Sequence, residues 1–361
     1  MPKKLIVCAD GTWNTENQTD QGHPCATNVT RVVRALRPTD SQGVAQVVHY
    51  EKGVGTEFGV KVRGGALGRG IFQNVSDGYD FLVQNYEPGD RIYLFGFSRG
   101  AFTVRSLAGL IRNSGILKRG QESFRDEAIA LYRDYDPATA PDGPKSVSFR
   151  AAHSHEPDIE FIGVWDTVGA LGIPNLDGRF RLLKGLDWQF HDVKLSRIVK
   201  NAFHALAIHE HRAEFLPTLW EKQAPWEDHP TPPVTQVMEQ MWFSGAHSDV
   251  GGGYPETGLS EVALEWMVGK AEEFGQLEFD RATLDLKPDP LAQGHDSFDT
   301  LFKMLDWIEG KGSGAMRVFN QYPTSVTCED IHPSVLQRAA AKPAEKWPPS
   351  FAKELQRRAQ P

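Results

Sequence analysis

Ser98 is the first residue whose type and setting suggest chemistry. It stands in Gly96-Phe97-Ser98-Arg99-Gly100, directly after the apolar run "RIYLF" and directly before a stretch with helical spacing. A serine between glycines at a strand-to-helix turn fits the nucleophile elbow. The hydroxyl sits in a strained turn, where bulk two residues to either side would collide. The helix that starts there points backbone N–H groups toward a developing oxyanion. The plainer alternative is a serine that caps the helix. A hydroxyl is a poor nucleophile at neutral pH, so it needs a base, and the base needs a third group to orient it.

Candidates for both follow in the order nucleophile, acid, histidine. Asp166 ends the apolar run "FIGVW"; its plainer reading is a turn or capping aspartate. His247 follows "QMWFSGA" in "GAHSDVGGGY", among residues too small to cover it. Asp249 is the rival acid, two residues from His247 and equally suited to pinning the glycine loop. Asp10, in "CADGTWN", also ends a strand-like run. Asp10 and Asp249 as a metal pair is the weaker reading, resting on two carboxylates of unknown separation. The backbone N–H of Gly11 or Thr12 is expected to complete an oxyanion hole with that of Arg99. His153 and His155 read as solvated loop residues, and His204, His209 and His211 as part of a helix.

These residues need a scaffold that brings distant strand ends together. "KKLIVCAD", "GVAQVVHY", "RIYLFGF", "DIEFIGVW" and "VTQVMEQMWF" read as strands. "NVTRVVRALRP" reads as a helix with Asn28 as N-cap, as does "IFQNVSDGYDFLVQNYEPGD". "RGAFTVRSLAGLIRNSG" is a third, stopped by Gly115. The glycines of "VKVRGGALGRG" are too dense for a regular element. With neither GxGxxG after a strand nor a P-loop lysine, a nucleotide site is not expected. Alternating strands and helices imply an α/β fold, a mostly parallel sheet with helices on both faces. One domain is expected over residues 1–361, with a cap or insertion at 172–235 and a helical C-terminal cover at 280–361. The insertion would include a helix around "LSRIVKNAFHALAIHEHRAEF".

Composition narrows the function. The 361 residues are 40% hydrophobic, enough for a large core. The net charge of −8 is spread without an acidic block and argues against general nucleic-acid affinity, which needs a basic surface. Cys8, Cys25 and Cys328 are too few and too scattered for a disulfide framework or zinc spacing. The apolar run in "MPKKLIVCADG" is too short for a signal peptide, and no run approaches the ~20 residues of a membrane span. A cytoplasmic location without stable membrane insertion is expected, with signal-independent secretion left open.

Taken together, "ADGTWN", "GVGT", "IYLFGFSRGA", "WDTVGALG" and "HSDVGGGY" resemble a bacterial and fungal family of uncharacterised α/β-hydrolases. That family includes the type VI secretion phospholipase effectors of family 1. The resemblance covers about the first 270 residues and implies an α/β-hydrolase fold, ester hydrolysis and a triad at Ser98, Asp166 and His247. A small ester or lipid is then the substrate, and no cofactor or metal is required. After residue 280 little reads as membrane-seeking; "WPPSFAKELQRRAQ" is basic and partly amphipathic but short. The alternatives are a catalytically silent binding protein on the same fold, which a fluorophosphonate would not label, and a metal-assisted hydrolase, which a chelator would inactivate.

Overall fold

A computed structural model describes residues 2–11, 19–20, 23–53, 64–169, 194–212, 215–223, 236–296 and 316–359. Seven strands form one sheet: β1 (Lys4–Ala9), β2 (Gln46–Glu51), β3 (Arg91–Phe97), β4 (Ile159–Trp165), β5 (Val199–Ala207), β6 (Val237–Phe243) and β7 (Glu329–Ile331). Their spatial order is β2-β1-β3-β4-β5-β6-β7, and every pairing is parallel. The order reverses between β1 and β3, which makes their carboxyl ends the switch point where open α/β sheets bind ligands. Ser98 sits at that switch point.

Side chains alternate across each strand, and helices cover both faces. Leu5, Val7 and Ala9 of β1 pack with α2 (Gly64–Asn85) and α3 (Arg99–Ser114) through Val75, Tyr79, Leu82, Val104 and Leu107. Ile6 and Cys8 face the other way, toward Val29 and Val32 of α1 (Asn28–Ala35) and Leu264 and Met267 of α7 (Gly258–Glu273). Between these lie α4 (Arg125–Arg133), α5 (Pro144–His153) and the short α6 (His247–Gly251). At the far edge α8 (Pro333–Ala341) and α9 (Pro349–Arg358) set Val335, Phe351 and Leu355 against Leu206, Trp242 and Ile331.

Four expectations need correction. Val199–Ala207 is the central strand β5, not a helix, so part of the segment drawn as an insertion belongs to the sheet. Val199, Ala202, Phe203 and Leu206 fall at helical spacing, and a strand covered on both faces lacks the alternation that would betray it. The rest of that segment, 172–193 and 224–235, lies outside the described residues. Gly64 to Gly70 are helical backbone, because the long α2 extends through glycines that propensity alone would exclude. The N-cap of α1 is Thr27, whose hydroxyl accepts from the Thr30 amide. Asn28 instead donates its side-chain amide to the Val250 and Ser260 carbonyls. His153 and His155 are half-buried, His153 bonded to Gln121 and stacked 3.8 Å from the Phe124 ring.

Candidate active site

Five strands end at one edge, and each delivers a polar side chain there: Asp10 after β1, Ser98 after β3, Asp166 after β4, Glu210 after β5 and His247 after β6. Ser98 has φ 58° and ψ −122°, outside the regions a serine favours. It is held there by its N–H on the Trp165 carbonyl, at 3.0 Å. The flanking glycines are sterically required. A Cβ on Gly96 would lie 2.6 Å from the Gly100 carbonyl oxygen, and one on Gly100 would lie 2.1 Å from that of Ala9. α3 therefore starts directly against the end of β1. Asp166 also has positive φ, at 42°. Strained backbone costs about 1–3 kcal/mol per residue and persists only where the surroundings impose it.

Asp166 is fully buried, and its Oδ2 lies 2.6 Å from Nδ1 of His247. Its Oδ1 accepts the Ala207 amide at 3.0 Å. Burial would raise its pKa, but the charge of Arg317 and the His247 bond outweigh this and hold the carboxyl well below the usual range. Burial lowers the pKa of His247, and the Asp166 bond and charge only partly restore it. Two rings lie against the imidazole, with centroids at 4.6 Å for Phe97 and 4.9 Å for Phe215. Its backbone N–H reaches Glu210 Oε2 at 3.3 Å. Glu210 is clamped by Arg212 through Nε at 2.9 Å and Nη2 at 2.8 Å. Burial pushes Glu210 up, but that clamp brings it down to about 2. Among the described residues no hydrogen bond joins Ser98 Oγ to the outer ring nitrogen Nε2 of His247.

The other expected residues fall elsewhere. Asp249 is turned away from His247: its Oδ1 lies 2.6 Å from His295 Nδ1, and its Oδ2 accepts the Ala246 and His295 amides, both at 2.9 Å. It fixes the glycine loop. Asp10 accepts from the Gly11 amide at 2.8 Å, Thr27 at 2.7 Å, Thr30 at 3.0 Å and Tyr50 at 2.9 Å. Each of these carboxylates thus has its own protein donors, and no group of three or more metal-ligating side chains occurs among the described residues. Gly11 N–H, expected in the oxyanion hole, points to Asp10, and Thr12 lies outside the described residues. Arg99 is the first residue of α3. His204 is a core residue of β5. Its Nε2 accepts the Thr167 amide at 3.0 Å, its Nδ1 lies 3.0 Å from Gln240 Oε1, and burial lowers its pKa to about 3. Arg317, Glu210 and His295 were not anticipated. Nothing in "GAMRVFNQ" or "AQGHDSF" marks a buried ion-pair partner of a residue so far away.

Residues 3–270 match the family model described as T6SS, Phospholipase effector Tle1-like, catalytic domain. The uncharacterised protein YEL023C of Saccharomyces cerevisiae is 30% identical over 236 residues, 59% of this chain and 32% of the yeast protein. Among solved structures, an uncharacterised protein from Pseudomonas aeruginosa aligns with TM-score 0.45 and 17% identity, covering 87% of this chain and 51% of that one. The Tle1 effector bound to the VgrG spike of the type VI secretion system aligns with TM-score 0.37 and 18% identity, covering 71% and 52%. The chain spans about a third of the yeast protein and about half of each of these two structures. No helix among the described residues is long and apolar enough to cross a membrane. The family model covers most of the chain and every strand-end residue named above, and the chain belongs to the Tle1-like family of type VI secretion phospholipase effector catalytic domains.

Proposed function

We propose that the protein is a serine hydrolase that cleaves carboxylic esters of lipid-like substrates through Ser98, His247 and Asp166. The observation that carries this is the Asp166–His247 bond at the strand edge where Ser98 occupies its strained elbow. Ser98 Oγ attacks the ester carbonyl while His247 Nε2 takes its proton. The oxyanion is met by the Arg99 N–H at the start of α3, while the Gly11 amide is committed to Asp10. His247 returns the proton to the departing alcohol, leaving an acyl group on Ser98. Water, deprotonated by His247, then releases the acid and restores the serine. Asp166 keeps the Nδ1–H tautomer in place and stabilises the imidazolium. The phospholipase description of the family and the Phe97 and Phe215 rings against His247 favour an acyl chain over a polar substrate.

A chain-length series of p-nitrophenyl esters, run beside fatty-acid release from phospholipid vesicles, tests the activity and its preference. Turnover rising with acyl length supports the reading; no ester hydrolysis by folded protein overturns it. The same assay carries a pH prediction. The base works as the neutral imidazole, and burial lowers the pKa of His247. The proton that stops catalysis therefore binds only below the ordinary histidine value of about 6.5. kcat/KM should stay level from pH 8 down through about 6.5 and fall only below it. An acid limb centred at pH 7 or above would contradict His247 as the base in this setting.

A further inference from the structure

Arg317 lies 47 residues beyond the last residue matched by the family model, yet it reaches the centre of the site. Its side chain is 1% exposed, and that of Asp166 is fully buried. Nη1 bonds Asp166 Oδ1 and also the Ala207 carbonyl, the latter at 2.7 Å; Nη2 bonds Asp166 Oδ2 at 2.9 Å and also the Phe215 carbonyl. One guanidinium thus grips both oxygens of the carboxylate and two backbone carbonyls, one at the end of β5 and one in the segment that follows it. A planar fork with fixed N–H directions can do this, whereas a lysine ammonium cannot hold all four acceptors.

We infer that Arg317 is a positioning residue: it fixes the carboxylate plane of Asp166 against His247 and makes the segment beyond residue 270 part of the catalytic apparatus. The inference rests on the triad reading given above. Asp166 Oδ2 is shared between Arg317 and His247, so the fork sets the direction from which the imidazole is held. Without it, among the described residues only the Ala207 amide restrains the carboxylate besides the histidine itself. Removing a cation also changes the charge around the base. Among the described residues, Asp166, Glu210 and Arg212 act on His247 directly, and Arg317 acts on Asp166 and Glu210. Arg99 stands beside Arg212, and His204, with Arg105 near it, lies behind Asp166; burial keeps His204 neutral. Arg317 acts on the imidazole through the carboxylate that the two share. Its loss leaves Asp166 an uncompensated anion, and the Asp166–His247 pair then takes up its proton at higher pH.

The test compares Arg317→Met and Arg317→Lys with wild type in the full chain, by ester kinetics and by NMR titration of the His247 ring, assigned through its absence in His247→Gln. Arg317→Met should raise the pH of proton uptake by about one unit or more. It should also lower kcat on the order of 10²-fold with KM little changed, the penalty of a misplaced base. Arg317→Lys keeps the charge but not the fork, so uptake should stay near the wild-type pH while kcat falls roughly tenfold. Added guanidinium ion should restore part of the activity of Arg317→Met. A purely structural arginine would change melting without moving the titration. Wild-type titration and kcat in folded Arg317→Met would overturn the inference. If that variant does not fold, full kcat in Arg317→Lys would do so. Because the titration is read without turnover, a site that proves catalytically silent would overturn the hydrolase reading without obscuring this result.

Discussion

Ser98→Ala should abolish ester turnover in a protein that still folds. In a triad enzyme, removal of the nucleophile alone costs on the order of 10⁶ in kcat, leaving only what binding and the oxyanion donors supply. The fold should survive because the Ser98 side chain makes no capping bond to α3. The elbow is held instead by backbone, through the Ser98 N–H on Trp165 and the close approach of Gly100 to Ala9. Alanine fits the same space and carries the same positive φ, so the strain is unchanged and the melting temperature should stay near that of wild type. Circular dichroism on the protein used for kinetics separates the two effects. Wild-type-like activity in folded Ser98→Ala would mean that Ser98 is a turn residue and that the ester is cleaved by other groups.

The second large effect distinguishes two aspartates that sequence spacing left in competition. Asp166→Asn should cost on the order of 10⁴ in kcat, the loss seen when the orienting acid of a serine protease triad becomes an amide. An amide nitrogen facing Nδ1 favours the wrong tautomer, and the imidazolium loses its counter-charge. Arg317 would also be left facing a neutral group, a buried cation without its partner. Asp249→Asn should cost far less, within about tenfold, because its bonds go to His295 and to the Ala246 and His295 amides, and an asparagine oxygen in place of Oδ2 can keep both amides. Its main effect should be a lower melting temperature as the glycine loop loosens. If Asp249→Asn proved the more damaging to kcat with both proteins folded, Asp166 would not be the acid.

Much of this arrangement was legible because the site lies where apolar runs stop. "RIYLF", "FIGVW" and "QMWF" each end in small or polar residues, and in a parallel sheet all such ends share one edge. Order along the chain then suggested which residues meet, and the Asp166–His247 contact is where that reasoning pointed. What was not legible depends on interior neighbours. β5 hid because burial on both faces removes alternation, and its buried His204 is satisfied by Thr167 and Gln240, partners that no local pattern encodes. Arg317 hid for a related reason. A buried ion pair is specified by where two side chains converge in space, and 151 residues separate these two. Asp249 shows the opposite limit: proximity in sequence to His247 suggested a partnership, but the turn of α6 sends its carboxylate to His295 instead.

The central claim is that Ser98 is a nucleophile activated by His247. A fluorophosphonate tests it most directly, since it reacts with an activated serine without any need to know the natural ester. Incubation of the full chain followed by intact mass measurement and peptide mapping should give one adduct, located on Ser98. The adduct should be absent in Ser98→Ala and should form far more slowly in His247→Gln. Folded wild-type protein that takes up no label, or an adduct on another residue that persists in Ser98→Ala, would contradict the account.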